Sequence, residues 1–223
     1  MNVEAKGLDY RALNEAIRAA GPACRINGCL GQRFIGAGMR GRQVEIHGIP
    51  GNAQDAVGDT MNDGSIIIHG NVGDTVGYAM RGGEIYVQGN AGYRVGIHMK
   101  AYQDKQPVIV IGGRAGSFLG EYQAGGTILV LGLHTDGKPI AGYFPCTGQH
   151  GGRVIFRGDV SGIRFPDQVT PHPPTAEELA QLRPLVERWC ALFGGDAAAL
   201  LEGPFTVVTP DSKNPYRQMY AAN

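Results

Sequence analysis

The sequence has no excess of charge of either sign, since 20 Lys and Arg residues balance 20 Asp and Glu residues at a pI near 7.0. A neutral chain lacks the basic surface that attracts nucleic acids or anionic membranes, so we expect neither as a partner. No apolar run approaches the roughly 18 residues of a membrane-spanning helix. The beginning of the chain also lacks the basic and then apolar layout of a signal peptide.

Cysteine is scarce, with four residues at Cys24, Cys29, Cys146 and Cys190. Four cysteines in a chain of this length do not make a disulfide framework. We therefore expect reduced thiols and a cytoplasmic protein. Glycine is abundant, and its 36 residues are about twice the usual share. Because the glycines are spaced among Val and Ile and do not recur at every third position, neither disorder nor collagen explains them.

An internal repeat accounts for the glycines. Six segments share one register, and each ends in a short alternating strand: 33–48, 51–70, 71–89, 90–113, 114–132 and 139–158. A glycine column runs through them at Gly36, Gly58, Gly77, Gly96, Gly120 and Gly142. Three residues after it comes a methionine column at Met39, Met61, Met80 and Met99, with Gln123 in the fifth coil. Strands this short become stable only when coils stack on one another, at about 4.8 Å per coil.

These columns predict an all-β fold, a single-stranded right-handed parallel β-helix of about six coils with short flanking helices at both ends. An antiparallel barrel or sandwich is the alternative, but it does not predict several columns in one register. The inward positions of the strands are Val44/Ile46, Ile66/Ile68, Ile85/Val87, Ile109/Ile111, Ile128/Val130 and Val154/Phe156. The outward positions are Glu45, Ile67, Tyr86, Val110, Leu129 and Ile155. Because most of the outward positions are apolar, we expect a flanking helix or a partner to cover them.

The chain is predicted to divide into an N-terminal helix and flank at 1–23, the β-helix at 24–160, and a C-terminal helical segment with an extended tail at 161–223. In the N-terminal flank, helical spacing joins Leu13, Ala16, Ile17 and Ala20, and Gly21-Pro22 supplies a stop.

The C-terminal flank begins with Thr175 and Glu178, which match a capping box. An apolar stripe follows at Leu179, Leu182, Val186, Trp189 and Phe193, which we expect to pack against the solenoid. Pro184 is expected to kink this helix or to mark its true first turn, and Asp196 to cap a short second helix. We expect the stretch from Phe205 to Tyr220 to lie extended on the surface or to reach a neighbouring subunit.

Several motifs resemble functional sites. Residues 36–41 read GAGMRG and match the dinucleotide pattern GxGxxG, but they lie in the register of the repeat, and a strand follows them instead of a helix. The pairs Cys24/Cys29 and Cys146/His150 are too loosely spaced to predict a zinc site. The acidic residues of the turns are expected to form a solvated rim: Asp55, Asp59, Asp63 and Asp74.

The histidines of neighbouring coils form a further pattern. His47 and His69 occupy equivalent positions, so we expect an outer ladder of imidazoles, whereas His98 stands alone beside Met99. No arrangement of nucleophile, base and orienting group is evident. We therefore predict no catalytic, cofactor-binding or metal-binding residue in this chain.

The repeats carry a resemblance to a known family. The segments GNAQDAVGDTMNDG, GDTVGYAMRGGEIYVQGNAGYRVGIHMK and PVIVIGGRAGSFLGEYQAGGTILVLGL resemble the GXGXG β-helix domain of glutamate synthase in its stand-alone form. The likeness covers residues 24–160 most strongly, and the flanks KGLDYRALNEAIR and NPYRQMY also resemble that form. Two features depart from the family pattern. Gln123 and Gln149 stand where methionine tends to repeat, and a coil near Pro50-Gly51 that relatives carry is expected to be missing.

The resemblance implies a non-catalytic structural subunit of an enzyme complex that carries FMN and an iron–sulfur cluster in its other subunits. The expected partners are a glutaminase-like amidotransferase subunit and an FMN-binding synthase subunit in a hetero-oligomer. The first expectation is N-methylglutamate synthase, which makes N-methylglutamate from methylamine and glutamate. The alternatives are the GXGXG subunit of glutamate synthase proper, or the C-type subunit of a formylmethanofuran dehydrogenase or formyltransferase/hydrolase complex.

Two other function classes remain open from the residues alone. A self-sufficient β-helix enzyme, such as a polysaccharide lyase, requires a cluster of charged residues on one sheet face, and the outward positions supply none. A free-standing homo-oligomeric structural protein would use the apolar outward face for self-association.

Overall fold

The computed structural model describes residues 1–47 and 53–211. The β-strands are β1 Asn2–Glu4, β2 Ala23–Asn27, β3 Gln43–His47, β4 Ser65–His69, β5 Glu84–Val87, β6 Val108–Ile111, β7 Ala124–Val130, β8 Gly151–Arg157, β9 Val169–His172 and β10 Phe205–Pro210. The helices are α1 Tyr10–Ala19, α2 Ala176–Phe193 and α3 Ala197–Leu201. Within the described ranges, no helix is long and apolar enough to cross a membrane.

The strands stack into a parallel β-solenoid of about seven turns, which confirms the predicted β-helix. Strands β1 to β8 follow one another in the sheet in chain order, and each pairs in parallel with the next. The extra turn arises because β1 and β2 precede the first repeat and continue the same sheet. All the predicted inward pairs lie in the central core, where alternation places every second side chain of a strand.

A tight turn before each strand explains the glycine column. In the coil around Gly77, the residues Thr75, Gly77 and Ala79 all have positive φ angles, of 56°, 66° and 49°. The turn therefore alternates between left-handed and right-handed backbone, and its middle residue faces the core. A Cβ atom at Gly77 would lie 2.5 Å from Cδ1 of Ile109, so glycine is required by space as well as by φ.

The sixth coil differs from the sequence-based register. Gly142 was assigned to the glycine column, but the position belongs to Cys146, whose φ is 62° and whose N–H donates to the Leu119 carbonyl at 2.7 Å. Gly120 makes the matching bond to Val95 at 2.8 Å. Gly142 instead follows Ala141, which bridges to Ala115 in a different column. The longer connection after β7 moves the turn along the chain, so even spacing selects the wrong residue.

The methionine column ends in a pair of glutamines inside the core. Gln149 follows Cys146 by three residues, so it lies in the column above Gln123, and both side chains are fully buried. Nε2 of Gln149 donates to Oε1 of Gln123 at 3.1 Å, while Nε2 of Gln123 lies within 3.3 Å of the carbonyl oxygens of Gly125, Gly126 and Arg153. Oε1 of Gln149 has no partner. The two amides therefore bond to each other and to nearby backbone inside the core rather than facing solvent, and only Oε1 of Gln149 is left unpaired.

This pair predicts a measurable coupling. Gln123→Met and Gln149→Met should each lower the free energy of unfolding by about 1–3 kcal/mol, because each leaves the other glutamine without its partner. The double variant should lose about 1 kcal/mol less free energy of unfolding than the sum of the two single losses, because the two amides interact. Urea unfolding followed by circular dichroism measures all three. Strictly additive costs would show that the two amides do not interact.

The N-terminal helix closes the open end of the solenoid. The predicted helix is confirmed as α1, which Asp9 caps, and Leu13 and Ile17 pack into the core. Asn14 supplies the contact that a preceding coil would make, because its Oδ1 accepts from the Gly36 N–H at 3.0 Å. Its Nδ2 donates to the carbonyl oxygen of Phe34 at 2.9 Å. The helical pattern of apolar residues gives no signal for this buried asparagine, so the sequence did not predict its role.

Helix α2 covers the outward face of the strands. The outward positions form one row through the sheet, and those from Tyr86 onward share a second core with Leu182, Val186 and Trp189. Of the two covers predicted for this face, the flanking helix is therefore confirmed. The capping box at Thr175 and the cap of α3 at Asp196 are also confirmed.

The structure differs from several expectations for the C-terminal flank. Of the two alternatives for Pro184, the first-turn position is wrong, because Pro184 lies inside α2 beyond its first turn. Leu179 is exposed rather than packed. The stretch that begins at Phe205 was expected to lie extended on the surface or to reach a neighbouring subunit. Its beginning is extended, but it forms β10 of the sheet, which pairs antiparallel with β8 and β9. The strand covers the last edge of the parallel sheet, which would otherwise expose unpaired backbone groups. The segment NPYRQMY lies outside the described residues.

Candidate functional site

The GxGxxG motif forms the turn of the first coil. Gly36, Gly38 and Gly41 have φ angles of 73°, 65° and 59°, and the chain continues directly into β3. A dinucleotide site needs a helix that opens within the motif and directs its N-terminus at the pyrophosphate. The structure has a strand in that place, so the motif belongs to the repeat, as predicted.

The four cysteines are buried and unpaired, and none has the environment of a reactive thiol. Burial raises the pKa of Cys29 to about 11 and also raises the pKa values of Cys24 and Cys146. A raised pKa keeps the thiol protonated, whereas nucleophiles and metal ligands are thiolates. In residues 1–47 and 53–211, neither cysteine pair belongs to a group of three or more close His, Cys, Asp or Glu ligand atoms.

The histidine ladder is present and includes an acidic residue. The rings of His47 and His69 stack with centroids 4.1 Å apart and an interplanar angle of 17°. Oε1 of Glu45 lies 2.9 Å from Nε2 of each ring. Burial raises the pKa of Glu45, but the polar side chains of His69, His47 and Arg25 beside it outweigh that effect, and the net pKa is lowered. The sequence placed Glu45 among the outward positions and paired the two histidines, but it did not connect the carboxylate with the imidazoles.

The aspartates of the turns were predicted only to form a solvated rim, but two of them also link neighbouring coils. Oδ1 of Asp55 accepts from the Asp74 N–H at 3.0 Å, and Oδ1 of Asp74 accepts from the Tyr93 N–H at 2.8 Å. Each carboxylate thus links its coil to the next one. Asp59 is also partly buried, and desolvation raises its pKa. Asp63 is the exposed member and pairs with Lys105 at 3.2 Å.

The turns of the later coils carry a group of aromatic side chains, here named the aromatic surface. It consists of the exposed Tyr78, Tyr93, Tyr143 and Phe144 and the half-buried Phe118 and Tyr122. Tyr143 is 78% exposed, Phe144 is 60% exposed and Tyr93 is 55% exposed. Single exposed aromatics are ordinary, but a group of this size on one part of a protein indicates an interaction site.

The solenoid places some of these aromatics on neighbouring coils, where they contact one another or a nearby side chain. The rings of Phe118 and Phe144 lie 5.4 Å apart on neighbouring coils, and the Arg94 guanidinium lies 5.2 Å from the centre of the Phe118 ring. Nε of Arg94 also contacts Oε2 of Glu121 at 2.9 Å, which holds the cation in place. On the other side of the turn, the ring of Tyr122 stacks on His98 at 5.1 Å. His98, which the sequence left isolated, is therefore part of this surface's border.

The outward face of the strands is not available to a large substrate. Tyr86, Val110, Leu129 and Ile155 are at most 1% exposed because α2 lies over them and Phe205 and Val207 of the neighbouring β10 extend the same apolar cluster. Trp189 Nε1–H also donates to the Val87 carbonyl at 2.9 Å, which ties the helix to the sheet. Polysaccharide lyases and self-association both require this face to be open, so neither use fits the row from Tyr86 to Ile155.

The described residues therefore form a parallel β-solenoid whose exposed aromatic turns, rather than its sheet face, are available for contacts. The model of the GXGXG motif family matches residues 8–210, and the chain belongs to that family. The predicted resemblance to the GXGXG domain of glutamate synthase is thereby confirmed at the level of the domain.

Two known proteins are similar to this chain. "Uncharacterized protein MJ1350" of Methanocaldococcus jannaschii is 40% identical over 248 aligned positions, which cover 98% of this chain and 95% of that protein. The alignment is longer than this chain, so MJ1350 carries residues without a counterpart here. The predicted missing coil near Pro50-Gly51 lies in the segment 48–52, outside the described residues.

The second similarity is to a solved structure. A chain of the formyltransferase/hydrolase complex (FhcABCD) from Methylorubrum extorquens, in complex with methylofuran, matches with a TM-score of 0.57 and 21% identity. The match covers 82% of this chain and 63% of that chain. At this identity the likeness shows a shared fold.

Proposed function

We propose that this chain is a non-catalytic structural subunit of an enzyme complex of the glutamate synthase type. The aromatic surface is the observation that carries the proposal, because a folded protein rarely leaves such side chains in water without a partner. Membership of the GXGXG family supports the type of complex. The partners are a glutaminase-like amidotransferase subunit and an FMN-binding synthase subunit, and the FMN and iron–sulfur cluster lie in those partners, in the cytoplasm.

The first candidate reaction is that of N-methylglutamate synthase, in which methylamine and glutamate give N-methylglutamate, with glutamate synthase proper as the related alternative. A second candidate is the C-type subunit of a formylmethanofuran dehydrogenase or formyltransferase/hydrolase complex. The shared fold with a chain of the FhcABCD complex supports that candidate.

Co-expression with candidate partners tests the subunit role. The chain alone should be colourless and without turnover, and it should co-purify with the synthase and amidotransferase subunits. Bound flavin and turnover in the isolated chain would overturn the proposal. Sedimentation with and without the partners separates it from a homo-oligomeric structural protein. Supplying the assembled complex with methylamine, ammonia or a formyl donor distinguishes the candidate reactions.

The aromatic surface predicts the effect of one double variant. Tyr143→Ser combined with Phe144→Ser should weaken binding of the partners by at least about tenfold, because buried aromatic anchors contribute about 1–2 kcal/mol or more each. Tyr102→Ser is the matched control, since Tyr102 is 49% exposed but belongs to the separate turn at 102–105 and not to the aromatic surface. Partner affinity is measured by titration of the purified chain. Equal affinity of the double variant and the control would exclude this surface as the docking site.

A further inference from the structure

Two neighbouring strands bring a glutamate and two histidines together on the outer side of the early coils. Glu45 and His47 are separated by one residue on β3, so both point outward, and His69 on β4 pairs in register with His47. The ligand atoms of the three side chains all lie within 4.8 Å of one another. Their side chains are between 26% and 33% exposed, so an ion from solvent can reach them.

The separations match those between ligands of one small cation. Zinc bonds to imidazole nitrogen and carboxylate oxygen are about 2.0–2.2 Å long, so neighbouring ligand atoms around the ion lie about 3 Å apart. Oε1 of Glu45 lies 2.9 Å from Nε2 of His47 and 2.9 Å from Nε2 of His69. Two imidazoles and one carboxylate are a common ligand set for zinc and related transition metals, with positions left open for water or a further ligand.

The hydrogen bonds within the group leave one ligand atom unused. Oε2 of Glu45 pairs with Arg25 at 3.2 Å, and Oε1 forms an aligned hydrogen bond with His69 alone. Nε2 of His47 is buried and lies 2.9 Å from the same Oε1, but it makes no aligned hydrogen bond there. A buried ring nitrogen without an aligned hydrogen bond is costly, and a bound cation would satisfy it together with the nitrogen of His69.

The surroundings favour retention of a bound ion. The ring of Phe193 at the end of α2 packs edge-on against His69, with centroids 5.2 Å apart, and forms an apolar wall on one side. The backbone positions are held by the sheet. Because the two imidazoles stack nearly in parallel, one ring must turn about its Cβ–Cγ bond to direct its lone pair at the ion. That torsion is broad for histidine, so the turn requires no backbone movement.

We propose that Glu45, His47 and His69 form a binding site for one Zn²⁺ ion or a cation of the same class. The sequence alone favoured an imidazole ladder without a metal, because the carboxylate of Glu45 was not assigned to the pair. The site lies on the described face of β3 and β4, away from the aromatic surface. The metal site is therefore independent of the proposed subunit role, and the two proposals can be tested separately.

Calorimetric titration of the full, untagged chain with ZnCl₂ tests the site. The wild type should bind one Zn²⁺ per chain, and His47→Ala and His69→Ala should each weaken binding at least about tenfold. His98→Ala is the control and should bind like the wild type, because His98 lies on the turns. Circular dichroism checks that each variant folds. If an alanine variant does not fold, the titration is repeated with Glu45→Gln, which preserves the shape of the side chain but removes its charge.

A second readout identifies the ligands. Co²⁺ in place of Zn²⁺ should give visible absorption bands of nitrogen and oxygen ligation without the intense near-ultraviolet band of thiolate ligation. Absence of stoichiometric binding, binding that survives both histidine changes, or a thiolate band would each overturn the proposal.

Discussion

Trp189→Ala should lower the free energy of unfolding by about 3–5 kcal/mol, as is usual when a large buried aromatic is truncated. Trp189 is 5% exposed and is the largest side chain between α2 and the sheet. Its indole lies against Gly112, where an added Cβ would be 2.4 Å from Cζ2 of Trp189. Truncation therefore leaves a cavity over the strands and removes the bond to the Val87 carbonyl.

Urea unfolding followed by circular dichroism measures this cost, because the protein has one tryptophan and the variant loses its fluorescence. Leu179→Ala is the control on the same helix, and it should cost less than about 1 kcal/mol because Leu179 is 38% exposed. Trp189→Phe separates packing from hydrogen bonding and should cost less than Trp189→Ala. If Trp189→Ala and Leu179→Ala cost the same, α2 is not docked on the sheet through this residue.

Gly64→Ala should lower the free energy of unfolding by about 2–4 kcal/mol, which adds the cost of left-handed backbone to that of overpacking. Gly64 has a φ of 94°, and an added Cβ would lie 2.1 Å from the carbonyl oxygen and 2.7 Å from the nitrogen of Arg42. Both atoms belong to the backbone of the preceding coil, so no side chain can move aside. That carbonyl also accepts from the Ser65 N–H at 2.8 Å, so the clash acts on the stacking of two coils.

Gly38→Ala separates the two causes. Gly38 has a φ of 65°, but nothing lies within 4 Å of an added Cβ. Gly38→Ala should therefore lower the free energy of unfolding by about 1 kcal/mol, because only the left-handed backbone conformation is penalised. Fluorescence of Trp189 and circular dichroism follow unfolding of both variants. Equal costs for Gly64→Ala and Gly38→Ala would show that the coils can separate to admit a methyl group.

Much of the fold could be predicted from the sequence because its causes are local and repeated. Strand alternation determined which residues enter the core, and every predicted inward pair is there. The capping box at Thr175 depends on residues three apart, so it too was visible. The same register showed that the GxGxxG motif is part of a turn. For the candidate sites, the sequence supplied the stacked pair His47 and His69 and the buried outward row.

Only the tertiary structure decided the features that depend on unequal connections or on chain ends. The sixth turn is centred on Cys146 rather than Gly142, because the connection before it is longer than the others. Residue spacing alone does not show where such a connection rejoins the solenoid. Asn14 and β10 close the two ends of the solenoid with partners distant in the chain. The carboxylate of Glu45 meets two imidazoles because stacking brings separate coils into contact. Local pattern thus determined the coil, and contacts between coils determined its ends and its candidate sites.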